Sequence, residues 1–113
     1  MRGKRLERYG EGILDKYGVK LLSAAYRSLE DIYTYIAEEL HEKQTALKFI
    51  DKLEEAIFSL EIMPYRGAKR CVGAYAKKGY RQIFVKNFTV VYRIDESQKQ
   101  VIIVTVRYSG SEF

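Results

Sequence analysis

The sequence predicts an α+β fold: an N-terminal strand, an antiparallel helix hairpin, then a small antiparallel sheet, in the order β-α-α-β-β-β. Three observations carry it. Two consecutive stretches in the first half space their apolar residues at helical intervals. Three runs in the second half are rich in β-branched and aromatic residues and are separated by polar turns. Helical runs precede the paired strands, an order that segregates the helices to one face of the sheet.

The elements follow in turn. Lys16 to Leu22 (KYGVKLL) reads as a short first strand. Ser23 suits an N-cap, because its hydroxyl can accept a free N–H of the first helical turn. A helix is predicted from Ala24 to Leu40, with Ala25, Leu29, Ile32, Ile36 and Leu40 on one face. His41 and Glu42 break it. A second helix is predicted from Lys43 to Ile62, with Ala46, Phe49, Ile50, Leu53, Ile57 and Leu60 on its apolar face. Pro64 stops it, since proline disfavours helix at the residue before it. So short a connection implies an antiparallel pair. Residues 65–79 form a glycine-rich basic loop, with a short strand expected at Cys71–Ala76. Tyr80–Val85 and Thr89–Ile94 read as a hairpin around Lys86-Asn87, where asparagine tolerates positive φ. Asp95–Lys99 is a polar turn. Val101–Val106 (VIIVTV) is an unbroken apolar and β-branched run that fits a strand buried on both faces.

Length and composition set bounds. The chain has 113 residues, 47% of them hydrophobic, which fits one domain, placed at residues 16–113. Residues 1–15 show no clear period and read as a tail or docking arm; an alternative start near Leu14 would remove them. Charged residues make up 31% and there is one proline, so the chain is not of a disordered class. No apolar run approaches the roughly 18 residues of a membrane span, and the basic start lacks the apolar core of a secretory signal. Cys71 is the single cysteine and cannot form an internal disulfide, so a cytoplasmic location is expected.

Charge is segregated along the chain. Residues 1–22 hold six Lys/Arg and three Asp/Glu, residues 23–63 hold four and nine, and residues 64–113 hold ten and three. The three net charges are +3, −5 and +7. Seven Lys/Arg and no acid lie between Arg66 and Lys86. Such a concentration attracts a polyanion or an acidic protein segment, or is simply a solvated face.

Side-chain chemistry narrows the functions. One histidine and one cysteine do not supply the clustered ligands of a metal site, and no metal or cofactor is expected. His41 reads as a solvated loop residue and Cys71 as a small buried hydrophobe. No phosphate-binding glycine motif appears. The sharper feature is an arginine near the end of each late strand: Arg81, Arg93 and Arg107. By alternation, Arg93 shares a face with Val91 and Thr89, and Arg107 with Thr105 and Ile103. Guanidinium forks bind phosphate or carboxylate, and tyrosine stacks on bases. Pairing with the acids of the helices is the structural alternative. The candidate binding residues are therefore Arg66, Lys69, Arg70, Lys77, Lys78, Arg81, Lys86, Arg93, Arg107 and Tyr108. A metal-independent endoribonuclease would draw on Arg81, Arg93, Arg107 and Tyr108, but the strands lack a histidine or glutamate for proton transfer.

Four segments in order, LEDIYTYIAEEL (Leu29–Leu40), ALKFIDKLEEAIFSLEIMP (Ala46–Pro64), GYRQIFVKNFTVVYRID (Gly79–Asp95) and VIIVTVRY (Val101–Tyr108), resemble the RelE/ParE superfamily of type II toxin–antitoxin toxins, also called plasmid-stabilisation proteins. The resemblance covers residues 16–109. It implies a sheet packed on a helix hairpin, and a cognate antitoxin that wraps the toxin with an acidic segment. RelE-like members cut mRNA on the ribosome; ParE-like members poison DNA gyrase. Thr89 stands where RelE-type enzymes usually carry arginine, and Arg107-Tyr108 where the superfamily often has histidine. These departures count against RNA cleavage, while the well-developed helix hairpin and the GYR…VVYRID strand pair look more ParE-like, so a gyrase-poisoning toxin is the first expectation. A ribosome-dependent endoribonuclease is the alternative, and a non-toxic nucleic-acid-binding domain the third. A homodimer is compatible with all three.

Overall fold

The computed structural model describes residues 16–76, 78–111 and 113; the arm expected at residues 1–15 lies outside them. Five strands form one sheet in the order β1-β5-β4-β3-β2. They are β1 (Gly18–Leu21), β2 (Ala68–Lys69), β3 (Arg81–Val85), β4 (Phe88–Asp95) and β5 (Gln100–Tyr108). Helices α1 (Ser23–Thr34) and α2 (Lys43–Phe58) fall between β1 and β2 in the chain. The predicted α+β class holds, but the sheet is mixed. β1 runs parallel to β5, with Gly18 to Leu21 facing Gln100 to Ile103, whereas the other pairs are antiparallel.

The short strand of the basic loop sits at Ala68–Lys69 rather than Cys71–Ala76. The latter stretch holds a 3-10 turn at Gly73–Tyr75, and Gly73 has φ +78°, which no extended strand adopts. Cys71 is exposed there rather than buried. Leu22, not Ser23, occupies the cap position of α1, without a side-chain cap. The Leu22 N–H bonds to the Ile103 carbonyl at 3.0 Å while its own carbonyl accepts from Ala25 and Tyr26. The strand ladder therefore passes straight into the helix, and no polar cap is required.

The long first helix divides. After Thr34 the chain makes a π-turn at Tyr35–Glu39, closed by the Leu40 N–H to the Tyr35 carbonyl at 3.2 Å. The extra residue in the turn rotates the apolar face. Ala37 is buried and Leu40, predicted inside, is half exposed. The second helix keeps the predicted face: Ala46, Phe49, Leu53, Ile57 and Leu60 are buried, the last of them in a 3-10 turn at Ser59–Glu61. In the hairpin after β3 it is Lys86, not Asn87, that takes positive φ, at 53°. Asp95 organises the β4–β5 turn, its carboxylate accepting from the Ser97 N–H and hydroxyl and the Gln98 N–H.

Both helices cover one face of the sheet. Ile83, Val90, Tyr92, Val101, Ile103 and Val106 pack there against Ala25, Ile32, Phe49, Leu53, Ile57 and Leu60. A bulge shifts the β4–β5 register between Val91 and Tyr92, so that Thr105 faces Val91 and Ile103 faces Tyr92. Val104 is left without a partner, and the shift changes which β5 residues share a side. Arg107 therefore lies on the face of Ile102 and Thr105, not of Ile103. As predicted, β5 is buried on both faces: Val101, Ile102, Ile103, Thr105 and Val106 are all inside.

Candidate functional site

The register separates the strand arginines. Arg81 pairs with Tyr92, a core residue, and so leaves β3 on the helix side. It donates to the Gly67 carbonyl, and its guanidinium lies 4.9 Å from the Tyr65 ring centre. Arg93 and Arg107 leave on the opposite face, beside Ile102 and Thr89 respectively. Both are exposed, and neither meets a carboxylate within salt-bridge distance among the described residues. Arg107 donates from Nε to Thr105 Oγ1 at 3.2 Å. Tyr108 follows Arg107 on the strand and points to the helix side, its ring 5.9 Å from that of Phe88. Arg107 and Tyr108 are thus on opposite faces, and the four candidate catalytic residues do not converge.

The open face gathers a different set. Gln82 and the exposed Phe84 of β3 lie beside Val91 and Thr89 of β4. Arg70, just beyond β2, is buried above them. Its Nη1 donates to Gln82 Oε1 at 2.6 Å and its Nη2 to the Phe113 carbonyl at 2.9 Å. The Phe113 ring centre lies 4.1 Å from the Arg70 guanidinium carbon and 5.5 Å from that of Arg107. Arg70 Nε is buried with no hydrogen-bond partner.

The other basic candidates are dispersed. Arg66 donates to Ser59 Oγ at 3.1 Å beside the end of α2. Lys69 is exposed on β2, and Lys78 in the loop that follows. Lys77 lies outside the described residues. Lys86 joins Lys48 and Lys52 around a hollow of about 380 Å³ with Ile36, Phe49 and Phe88 at its floor. Alongside it, Asp31, Ile32, Tyr35, Phe88 and Tyr108 line a second hollow. A third, of about 780 Å³, lies between α1 and α2, with Leu29, Leu47, Ile50 and Phe58 inside and Glu30 and Glu54 at its edge. Among the described residues no group of three His, Cys, Asp or Glu stands ready to hold a metal.

Sequence reasoning missed a polar cluster at the β4–β5 turn. The Tyr17 hydroxyl donates to Glu96 at 3.0 Å, the Tyr65 hydroxyl bonds the same carboxylate, and Lys99 Nζ lies 3.3 Å from it. The Tyr65 hydroxyl, then that of Tyr17, holds Glu96 below the usual carboxylate range. The same bond holds Tyr65 above the usual phenol range. Lys99 is raised, first by its hydrogen bond to Glu96. A carboxylate kept ionised by three donors is a clamp, not a proton shuttle. Its members come from segments far apart in the chain, so no local motif announces it.

Comparison with known proteins agrees with this geometry. Residues 19–113 match the family model described as the ParE toxin of the type II toxin–antitoxin system parDE. A solved chain from the chromosomal ParDE system of P. aeruginosa is similar at a TM-score of 0.69 and 21% identity, over 83% of this chain and 97% of that one. A chain of the RelBE2 toxin–antitoxin complex of Mycobacterium tuberculosis gives 0.62 and 21%, over 85% and 94%. A chain of the archaeal RelE–RelB complex of Pyrococcus horikoshii gives 0.57 and 16%, over 84% and 97%. At these identities the solved structures establish the shared fold. The family match spans every strand and both helices of the sheet-and-hairpin body but the first residue of β1, and this chain belongs to the ParE toxin family of type II toxin–antitoxin systems.

Proposed function

We propose that this protein arrests bacterial growth by binding a protein target in the cytoplasm, DNA gyrase, and that a cognate antitoxin neutralises it. The observation that carries this reading is the placement of Arg107 and Tyr108 on opposite faces of the sheet. The open face offers guanidiniums, which stay charged and do not exchange protons at physiological pH. Arginine and an exposed aromatic ring are instead what a protein-contacting surface uses. Arg93, Arg107 and Phe84 are its anchors. The antitoxin supplies an acidic segment with apolar anchors for the lysine-rimmed hollow of Lys48, Lys52 and Lys86. Beside it, β2 pairs only with Arg81 and Gln82, so Ile83–Val85 is an edge open to strand addition.

Ribosome-dependent mRNA cleavage is the second reading, favoured by the shared fold and by the exposure of Arg93 and Arg107 on one face. Pulse labelling after induction of the protein alone separates the two. Early loss of thymidine incorporation with translation intact is the expected result. Early collapse of amino-acid incorporation overturns it in favour of the nuclease. Unaffected growth points to a non-toxic member. The Arg93→Ala, Arg107→Ala double variant should lose most of the arrest; full toxicity in that variant would exclude the open face as the working surface.

A further inference from the structure

We propose that the lysine-rimmed hollow and the hollow beside it form one binding trough for a single-chain amphiphile with an anionic head, of the fatty-acid class. This adds a small ligand to a hollow assigned above to the antitoxin, and it rests on the chemistry of the trough rather than on that reading. Residues 23–63 hold four Lys/Arg against nine acids. Two of those four, Lys48 and Lys52, nevertheless line this hollow, and no Asp or Glu does. They stand one turn apart on α2, where like charges repel. Lys86 closes the rim from the β3–β4 hairpin. Among the described residues, none of the three lysines meets an acid within salt-bridge distance. Lys86 also holds φ at 53°, at the first position of a turn between Val85 and Phe88 where glycine suits positive φ best. A strained lysine grouped with two unpaired ones is the setting for an anion.

The floor shows what the anion must carry. Phe88 lines both hollows. The Phe49 ring of the first lies 5.3 Å from it and the Tyr108 ring of the second 5.9 Å from it. Ile36 and Ile32 extend the apolar surface. A peptide backbone laid over these rings would leave amides unpaired, whereas a hydrocarbon chain has none to satisfy. The volumes, about 380 and 480 Å³, are those of small-ligand sites. Asp31 lines the second hollow and repels a carboxylate. The head therefore lies at the lysines, and the tail crosses Phe88 toward Ile32.

The test titrates the full chain with dodecanoate, below its micelle concentration, by calorimetry and by amide NMR. One saturable site is expected, with shifts gathered at residues 45–52 and 86–88. Each methylene added from octanoate to dodecanoate should tighten binding about two- to four-fold, as for a partly to fully buried CH₂. Dodecyltrimethylammonium, with the same tail and the opposite charge, should bind at least about ten-fold more weakly. Replacing Lys48 and Lys52 together by Gln should weaken dodecanoate about ten-fold. Lys86→Gly should weaken it several-fold while raising the thermal unfolding midpoint, because glycine relieves the strained φ. A lysine with a purely structural role would not separate the two readouts. Equal affinity for the cationic amphiphile, affinity independent of chain length, or shifts centred away from α2 and the hairpin overturns the proposal. So does uptake by phosphatidylglycerol vesicles with no saturable binding of monomeric dodecanoate, which would make the surface a bilayer contact. Neither antitoxin nor growth enters the measurement, so its failure leaves the toxin reading standing.

Discussion

At the scale of single residues, strand position decides what each arginine does. Arg81 is anchored to the Gly67 carbonyl on the helix side, whereas Arg93 reaches solvent on the other. Arg81→Ala should therefore lower unfolding free energy by about 1–2 kcal/mol, a charge-assisted bond lost, and Arg93→Ala should stay within about 0.5 kcal/mol of the parent. Urea denaturation of the two variants measures the contrast. The sequence placed these arginines at strand ends, and alternation put Arg93 correctly with Val91 and Thr89 but Arg107 wrongly with Ile103. The bulge at Val104 reverses parity, and bulges leave no reliable signature in one sequence. The Glu96 clamp sets the acid limb of stability. Its carboxylate titrates below the ordinary 4.5 when folded, so its contribution is complete above that value and fades as pH falls through the lowered one. Tyr92, raised first by burial, acts at the other limb. Its contribution is complete below the ordinary 10.0 and is lost as pH rises through the higher folded value. Unfolding midpoints measured from pH 2 to 11 should fall at both ends, and Glu96→Gln should flatten the acid limb.

At the scale of elements, periodicity did most of the work. The faces of α2 and β4 were legible because their apolar spacing is unbroken, whereas β5 was legible as a buried strand but not in which of its residues share a side. The first helix was legible only to Thr34, since a π-turn is chosen by packing rather than by local preference. Across that turn Ala37 is buried and Leu40 is left half exposed. Phe49 is the residue that fastens α2 to the hairpin, its ring 5.3 Å from Phe88. Phe49→Ala should cost about 3–5 kcal/mol, as for other buried aromatics, and should open the lysine-rimmed hollow to solvent. Denaturant midpoint and hydrogen exchange at Lys86–Phe88 would check both. An exchange rate unchanged at the hairpin would mean that β4 does not depend on α2.

At the scale of the molecule, net charge is divided between an acidic helix hairpin and a basic sheet half. An acidic partner should be steered to the sheet side, with association falling about ten-fold or more between 50 and 500 mM salt while dissociation changes little. Stopped-flow binding measures this, and a salt-independent on-rate would deny the steering. The fold as a whole was legible because the order of helices and strands admits few arrangements; the parallel edge was not, because nothing local in KYGVKLL reveals its partner. That edge bears on synthesis. β1 is among the first described residues and β5 is the last strand, yet Gly18 pairs with Gln100 and Leu21 with Ile103. Closing so long a loop waits on the far end of the chain and slows folding. A nascent chain on the ribosome therefore holds β1 unpaired until Gln100–Ile103 have been made, and the finished sheet can exist only after translation has passed Tyr108. A toxin of this family is in this way kept incomplete until its last strand has been made.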